Sequence, residues 1–469
     1  MNKESKKKRA GNIPALLDRI TGRYGKCRVI FIALLILWVP WGILCFPGNL
    51  PWDAGTSIAW FLGIDRSEVN NPWFQNLIMG LFYRAGETAG DPALGTYLYC
   101  WMQMLLEAWL LSQAVTWLSD SSGAGRRAYL LVLFFALPVF PIYAFMMGKD
   151  SSYGLALLWM VFLLVRAAVE QEAFWTDRPN RIRLIVLPAV LNLLRNFGGV
   201  IPLAVFAVLV LMKRKKAGVL PAAVSAALLL FFTVALPKLA GIPDGQIREQ
   251  MSMPLQTVGY YVQKHPDEVT DREKETISRV VDYDVLRENY TPEIADPVKS
   301  RSDFTPETRA EFLRMWLGML RKHPGTILEG WRRSTDIYFS FSDMSAVKSH
   351  YFIGVCYDPV LQERLGILNW DEGNYLAKGA YHVSMMIPVI RTLQLTGMYS
   401  WLTLLLLFCT LVWHRMRKFL PCCLLLMMVL CACLLSPVNG YFRYAYPMVL
   451  SLPVVLIPVL ENIKKRPDP

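Results

Sequence analysis

One acidic residue follows directly after the first long hydrophobic segment of the chain, in the sequence Pro51-Trp52-Asp53-Ala54-Gly55. A carboxylate at a membrane face can act as a general base that takes a proton from an acceptor hydroxyl. Aspartate before small residues is also a good N-cap of a helix. The sequence therefore leaves two interpretations of Asp53 open, a catalytic carboxylate and a helix cap.

A second acid stands beside a cation in the segment Gly148-Lys149-Asp150-Ser151-Ser152, which is expected to be a short outer turn between two spans. In a functional interpretation Lys149 holds a lipid phosphate and Asp150 orients that phosphate or a sugar, while the N-terminus of the next helix also favours an anion. In a structural interpretation Asp150 caps a helix that begins at Ser151, and Lys149 extends to the lipid headgroups. Both interpretations remain open at this stage.

Two arginines complete the set of charged candidates. Arg195-Asn196 lies at the outer end of a short apolar segment, where a charge costs at least a few kcal/mol on insertion scales unless it is paired or near water. Arg443-Tyr444 precedes the last hydrophobic segment, among several aromatic residues. Each arginine can bind phosphate oxygens through two parallel hydrogen bonds, or can be an ordinary residue of the membrane interface.

Other polar residues give weaker signals. Glu107 lies inside a hydrophobic segment and nearer its middle than its outer end, so we do not assign it to the same site. The histidines lack the His-x-x-x-His spacing of a metal site, and the sequence predicts no metal and no cofactor; a divalent cation is not indicated. A phosphate-binding loop of the Gly-x-x-x-x-Gly-Lys type is absent, which excludes an ATP-driven machine. The histidines are His265, His323, His350, His382 and His414.

The composition predicts an all-α polytopic membrane protein. The chain has 469 residues, of which 54% are hydrophobic and 18% charged, against about 25% charged in soluble proteins. Hydrophobic runs of roughly the length that crosses a ~30 Å hydrocarbon core recur along it. The first run has no small-residue cleavage site, so we expect a retained helix. We predict about ten spans, near residues 29–46, 95–117, 128–146, 153–169, 184–197, 199–212, 218–236, 397–413, 419–435 and 444–460.

The charge distribution predicts the topology. The formal net charge of +12 comes from basic residues that lie between spans, which is typical of cytoplasmic loops and argues against nucleic acid as a partner. We therefore expect both termini in the cytoplasm. The basic segments assigned to that side are Lys6 to Arg9, Arg126-Arg127, Arg178 to Arg183, Lys213 to Lys216, Arg415 to Lys418 and Lys464 to Arg466.

Residues 184–212 test this topology. One long helix there would place the cluster Lys213 to Lys216 outside, whereas two short spans hinged at Asn196-Phe197-Gly198-Gly199 keep it inside. We predict the hinge. Pro138, Pro141 and Pro188 are expected to kink their spans.

The predicted organisation has two large outer segments. The first, 47–94, contains an interfacial helix from about Trp73 to Tyr83, and the second consists of short helices packed on the membrane face. The predicted parts are a basic tail 1–28, a seven-span module 29–236, the large outer loop 237–396, three spans within 397–460 and a tail 461–469.

This arrangement resembles the glycosyltransferase C superfamily, in which an acidic residue lies in a long first outer loop and further spans follow a large outer loop. Several short strings also look like a family of bacterial integral membrane proteins of undetermined function that is related to that superfamily. These strings are 71–75, 148–150, 194–196, 251–256, 290–292 with 295–299, and 443–447.

The resemblance implies an inverting enzyme of the cell membrane that transfers a sugar from a polyprenyl-phosphate carrier to a glycan, lipid or protein acceptor on the extracytoplasmic face. It implies that Asp53 activates the acceptor and that Asp150 is a second catalytic acid. Paired acids are common in the family motif, but Asp53 has none beside it, so Asp65 and Glu68 are alternative bases. The residues expected to bind substrate are Lys149, Arg195, Asn196, Arg443 and Tyr444.

Two other classes of function remain open. A transporter or lipid flippase also has many spans, although such proteins commonly contain inverted repeats, and none is visible in this sequence. An envelope glycan polymerase or ligase also combines many spans with a large outer loop. Membrane lipids are expected partners in every case.

Overall fold

The computed structural model describes residues 21–64, 71–196, 198, 200–212, 215–239, 246–341 and 352–464. The regular elements in these ranges are helices, accompanied by isolated β-bridges. The predicted all-α fold class is confirmed for this part of the chain. Several predicted features lie outside the described residues: the basic segment Lys6 to Arg9, Asp65, Glu68, Phe197, Gly199, Lys213, Arg214, His350, Lys465 and Arg466.

The N-terminal half is a series of helices of very different lengths. Short 3-10 or π-helical segments join some of them, at Gly125–Tyr129 and Phe231–Ala235. The helices are α1 (Lys26–Leu44), α2 (Trp52–Phe61), α3 (Trp73–Thr88), α4 (Pro92–Ser121), α5 (Leu130–Phe134), α6 (Val139–Ala144), α7 (Lys149–Glu170), α8 (Glu172–Thr176), α9 (Arg178–Leu194), α10 (Val200–Leu211), α11 (Lys215–Leu230) and α12 (Leu236–Leu239).

Short helices follow in the predicted outer loop, and long apolar helices close the chain. Segments of 3-10 helix lie at Pro266–Glu268, Asp336–Phe339 and His414–Phe419. The helices are α13 (Gln246–Gln250), α14 (Ser252–Lys264), α15 (Asp271–Ser278), α16 (Tyr283–Asn289), α17 (Asp296–Lys299), α18 (Pro306–Lys322), α19 (Pro324–Arg333), α20 (Pro359–Leu365), α21 (Asp371–Met386), α22 (Pro388–Gln394), α23 (Thr396–Val412), α24 (Leu420–Leu434) and α25 (Phe442–Lys464).

Several helices are long and apolar enough to cross a membrane. In the described ranges four pass by length and composition, namely Lys26–Leu44, Lys149–Glu170, His414–Leu434 and Phe442–Lys464. A fifth is added if α22 and α23, which meet at 61°, form one bent span. In length and composition, these helices are those of a membrane protein.

The predicted span 128–146 is not one continuous helix. It is divided into a 3-10 turn, α5 and α6, with Pro138 between the two helices and Pro141 inside the second. Proline lacks a backbone N–H and clashes with the preceding turn, which is the physical reason for the break. The predicted interruption near residue 196 is confirmed, because α9 ends at Leu194 and α10 begins at Val200.

The outer helices contain a hydrophobic core of their own. Residues of α14 to α19, including Tyr261, Phe312 and Met319, are buried together and apart from the main core. This bundle is tied to the segment before α25, because the Trp331 indole donates to the carbonyl of Leu434 (2.9 Å) and Ala295 N–H donates to the carbonyl of Pro437 (2.7 Å). The later outer residues return to the first loop through a bridge between Leu50 and Val355.

Candidate functional site

Asp53 lies in the first turn of α2, and its carboxylate points to two cations from distant parts of the chain. Its Oδ2 is 3.0 Å from Arg443 Nη1 and 3.1 Å from Lys149 Nζ. The N-cap of α2 is Pro51, so the helix-cap interpretation of Asp53 is wrong. Asp53 instead belongs to an ion-pair network.

Asp150 occupies the matching position in α7. The N-cap of this helix is Gly148 and the helix begins at Lys149, so Asp150 is not the predicted cap either. Its Oδ1 lies 3.2 Å from Arg195 Nη1, and its Oδ2 lies 3.6 Å from Arg443 Nε. Arg443 therefore lies between the two carboxylates. We call Asp53, Lys149, Asp150, Arg195 and Arg443 the charged cluster.

Helix ends position every member of the charged cluster. Asp53 stands in the first turn of α2, and Arg195 is the C-cap of α9. Lys149 and Arg443 stand at the N-terminal ends of α7 and α25. Since α7 packs against both α9 and α25, these ends meet on one side of the helical assembly.

Tyrosine rings flank both arginines. The guanidinium carbon of Arg443 lies 4.5 Å from the ring centre of Tyr441 and 5.1 Å from that of Tyr444. Arg195 lies 5.5 Å from the ring centre of Tyr153 and 5.6 Å from that of Tyr444. An aromatic face attracts a cation and keeps its planar group in one orientation, so the rings leave the edges of the guanidinium groups to bind acceptors.

Asn71 joins the first outer loop to the charged cluster. Its Oδ1 accepts a hydrogen bond from Lys149 Nζ (2.6 Å), and its Nδ2 donates to the Ser57 hydroxyl (3.0 Å) and to the carbonyl of Asp53 (3.3 Å). The amide thus fixes the Lys149 ammonium relative to α2. This role of Asn71 was not predicted from the sequence, although Asn71 begins one of the strings that carry the resemblance.

The charged cluster is shielded from solvent and carries an excess of positive charge. The side chains of Asp150 and Arg443 are only 4% and 11% exposed. Three cations face two carboxylates, so the fully ionised cluster has a net charge of one positive unit. Buried polar atoms of the cluster that lack a hydrogen-bond partner among the described residues are Asp150 Oδ1 and Arg443 Nε, although both take part in ion pairs.

Burial alone would raise the pKa of the Asp53 carboxyl. The positive charges of Arg443 and Lys149 and the hydrogen bonds from them outweigh burial and hold this pKa well below its usual range. Asp53 is therefore ionised at neutral pH. A carboxylate in this state accepts hydrogen bonds well but is a weak base while both cations stay bound to it.

A mostly apolar cavity of about 460 Å³ lies between the helices near the charged cluster. Its walls come from α3, α4, α7 and α9 and include Ala156, Trp159 and Leu187. Ser152 and Leu194, which also line it, are close neighbours in sequence of Asp150 and Arg195. One end of the cavity therefore lies near the cluster, although the cluster residues themselves do not line it.

Polar side chains line one part of the cavity wall. Tyr99 OH lies 2.7 Å from Ser152 Oγ and accepts a hydrogen bond from Gln75 Nε2 (2.8 Å). Ser152 Oγ also donates to Gln103 Oε1 (2.9 Å). The Oε1 atom of Gln75 is buried and accepts no hydrogen bond within the described residues. Ser152 stands two positions after Asp150 in α7, whereas Gln75 lies in α3 and Tyr99 and Gln103 lie in α4. The hydrogen bonds to Ser152 therefore place this polar part of the wall near Asp150.

The structure brings together most of the site residues predicted from the sequence. Tyr444 accepts a hydrogen bond from Arg443 Nη2 (3.3 Å) and belongs to the wall of the cluster. Asn196 follows Arg195 at the end of α9 and is half-buried. Glu107 is separate, as expected: it is buried in α4, where its Oε1 accepts a hydrogen bond from Tyr446 OH (2.6 Å).

Residues 68–468 match the model of a family of unknown function, DUF6020. The chain belongs to the DUF6020 family. The matched region contains Lys149, Asp150, Arg195 and Arg443 and begins after Asp53. No curated protein and no solved structure gives a significant match to the chain.

Proposed function

We propose that this DUF6020 protein is a membrane glycosyltransferase that uses a polyprenyl-phosphate sugar as donor. One observation carries the proposal: three cations and two carboxylates from four separate segments meet in a shielded cluster beside an apolar cavity. A polyprenyl-phosphate sugar combines an anion, a polar sugar and a long apolar chain. The acceptor is a glycan, lipid or protein of the cell envelope.

The donor phosphate fits the cationic side of the cluster. Arg443 and Arg195 present guanidinium edges, which bind phosphate oxygens through paired hydrogen bonds, and Lys149 adds a third positive charge. The excess positive charge of the cluster favours a single anionic phosphate. Arg443 Nε is buried, lies 3.6 Å from Asp150 Oδ2 and donates no hydrogen bond among the described residues, so it can donate one to a phosphate oxygen that displaces this carboxylate.

The isoprenoid chain fits the cavity between α3, α4, α7 and α9. Apolar side chains such as Leu187, Trp159 and Ala156 form much of the wall. An isoprenoid chain that enters from the bilayer therefore stays in apolar surroundings and is held by van der Waals contacts. The polar groups Gln75, Tyr99 and Ser152 lie where the chain would join its headgroup.

Asp53 is the proposed general base. Phosphate competes with its carboxylate for Arg443 and Lys149, so donor binding weakens the two ion pairs that hold the pKa of Asp53 low. The carboxylate then takes the proton of the acceptor hydroxyl. The new bond joins the acceptor oxygen to the anomeric carbon, the bond from that carbon to the phosphate oxygen breaks, and polyprenyl phosphate leaves with the electron pair. One displacement inverts the anomeric centre.

The proposed topology has about ten spans, with both termini in the cytoplasm and the charged cluster on the outer face. The ends of the helices remote from the cluster carry paired charges: Lys26 pairs with Asp120, and Arg127 Nη2 lies 2.8 Å from Glu461 Oε2. Basic residues at that end support its assignment to the cytoplasm.

Two experiments test the proposal. Purified protein in lipid nanodiscs is mixed with a polyprenyl-phosphate hexose, and donor consumption is followed by mass spectrometry. Envelope glycans and lipids of cells with and without the gene are compared by mass spectrometry, which identifies the acceptor. We expect donor consumption and the loss of one sugar decoration. Intact donor in every lipid and acceptor condition, together with unchanged envelope glycans, would refute a transferase.

The same cavity and cluster favour one other function, movement of a lipid phosphate across the membrane by a flippase. Both functions need an anion site joined to a lipid-sized cavity. Reconstituted vesicles separate them: a flippase moves the labelled lipid between leaflets with every covalent bond intact, whereas a transferase releases polyprenyl phosphate.

A further inference from the structure

Two histidines of the outer bundle occupy equivalent places in a repeated local sequence. His265 lies in Lys264-His265-Pro266, and His323 lies in Lys322-His323-Pro324. Each histidine ends a helix: the backbone N–H of His265 donates to the carbonyl of Tyr261 (2.8 Å), and that of His323 donates to the carbonyl of Met319 (2.9 Å). A helical segment begins at the proline that follows.

Packing of α14 against α18 brings these two helix ends together. The imidazole rings stack with their centres 4.4 Å apart and their planes 19° from parallel. The Tyr261 ring contacts both of them, at centre distances of 5.3 and 5.7 Å. The stack belongs to the bundle with its own core, and it does not depend on the helices that carry the charged cluster.

Glu268 directs its carboxylate to both rings. His265 Nδ1 lies 2.9 Å from Glu268 Oε1, and His323 Nε2 lies 2.6 Å from Glu268 Oε2. One ligand atom from each of the three side chains falls within 4.8 Å of the others. We propose that His265, Glu268 and His323 form a binding site for a divalent cation of the zinc class, which joins the end of α14 to the end of α18.

The donor set fits zinc. Zinc binds imidazole nitrogen at about 2.0–2.1 Å and carboxylate oxygen at about 2.0–2.2 Å, and a site with two histidines and one glutamate leaves the fourth position to water. Imidazole ligands disfavour Mg²⁺ and Ca²⁺, which prefer oxygen. The rings are about a quarter exposed, at 24% and 28%, so a cation reaches them from solvent.

A further side chain orients one of the ligands. His265 Nε2 lies 2.9 Å from Thr326 Oγ1, which leaves Nδ1 to face Glu268. Partners of this type fix the ring orientation of a metal-binding histidine, and their loss typically lowers metal affinity by about 10–100-fold. The sequence predicts no metal site at these residues because the two histidines are far apart along the chain and lack the spacing of ligands on one helix.

The test measures zinc bound to the full-length protein, purified with an affinity tag that contains no histidine. Loosely bound metal is first removed. Zinc chloride is then titrated into the protein, and bound zinc is measured by inductively coupled plasma mass spectrometry. We expect one tightly bound zinc per chain in the wild type. His323→Ala, His265→Ala and Glu268→Gln should each lose it, and Thr326→Val should weaken binding by about 10–100-fold.

His382→Ala is the matched control, because His382 lies in α21 of the same outer region. It should keep the bound zinc. Zinc should also raise the melting temperature of the wild type but not that of Glu268→Gln, a nearly isosteric change in an exposed residue that leaves the backbone intact. The proposal is overturned if the wild type binds no zinc, or if the three ligand variants bind it as the wild type does. Asp53→Asn should retain the zinc whatever its transferase activity.

Discussion

The substitution Asp53→Asn separates the two roles that the charged cluster gives to this carboxylate. If Asp53 both competes with the donor phosphate and acts as base, its loss should strengthen binding of the phosphate while it abolishes sugar transfer. A residue with only a structural role would not produce opposite effects on binding and turnover. Asparagine keeps the side-chain shape and an oxygen that can still accept hydrogen bonds from Lys149 and Arg443.

The magnitudes follow from the two ion-pair distances. At an effective dielectric constant of about 20, a charge pair at 3.0–3.1 Å contributes about 5 kcal/mol before desolvation. The desolvation penalty of several kcal/mol per ion offsets much of this energy. In Asp53→Asn the phosphate no longer has to displace these ion pairs. If this saves about 1.4 kcal/mol, the dissociation constant for the phosphate falls about tenfold. Loss of a general base should lower turnover by about 10²–10⁴-fold.

The variant should remain folded. Removing one member of a buried ion pair costs roughly 3–5 kcal/mol, but Arg443 keeps its contact with Asp150 and Lys149 keeps that with Asn71. We therefore expect a cost near the lower end of this range. The change should appear as a lower melting temperature of a protein that still elutes as a single species.

The assay uses farnesyl phosphate as the probe of binding and a polyprenyl-phosphate hexose as the substrate of transfer, both with protein in nanodiscs. Glu170→Gln is the matched control, because Glu170 ends the same helix α7 and is ion-paired with Arg166 (2.9 Å) far from the cluster. The control should change neither quantity. If Asp53→Asn binds farnesyl phosphate more weakly than the wild type, or transfers sugar at a near-normal rate, the assignment of Asp53 is wrong.

Three further outcomes follow from the same geometry. Arg443→Lys keeps the charge but cannot reach two carboxylates with a planar group, so transfer should fall at least tenfold, while a normal rate would contradict the bridging role. Because the pKa of Asp53 is held below its ordinary 3.8, the stability it provides is present above about pH 4 and is lost as the pH falls through the lower, folded-state value. The difference in melting temperature between wild type and Asp53→Asn should accordingly be constant from pH 5 to 8 and shrink below pH 4; a change between pH 5 and 7 would contradict this. Ala156→Phe should fill the cavity and weaken binding of a long polyprenyl phosphate more than that of farnesyl phosphate, whereas Ala156→Ser should bind both normally, and an equal loss of both lipids in Ala156→Phe would argue against the cavity as the lipid site.

The amino-acid sequence alone determined the class of the protein and most of the candidate residues. Hydrophobic runs of membrane-spanning length predict helices, because a chain in lipid must satisfy its backbone hydrogen bonds internally. A charge at the end of an apolar segment is costly unless it has a partner, and this rule selected Arg195. The chemistry of their side chains and their positions beside hydrophobic segments selected Asp53, Lys149, Asp150 and Arg443. The helix interruption near Asn196 followed from the charge of the next loop.

Local patterns failed where distant parts of the chain decide the outcome. Asp53 and Asp150 both look like helix caps, because a cap is judged from neighbouring residues. The structure gives both carboxylates cations from other helices, and a full ion pair outweighs a cap bond at a site sheltered from water. The break of the span 128–146 was underestimated for a related reason: prolines that kink one helix can divide another.

Only the tertiary structure decided which cations share which acids, and that two histidines lie face to face. Asn71 was missed because an amide is ordinary in a loop until a lysine from another helix reaches it. His265 and His323 were dismissed because their spacing along the chain is long, yet two similar helix ends meet when α14 and α18 pack. Sequence separation does not limit side-chain contact once helices are packed, since each side chain is fixed to the end of a rigid element and moves to wherever that element is placed.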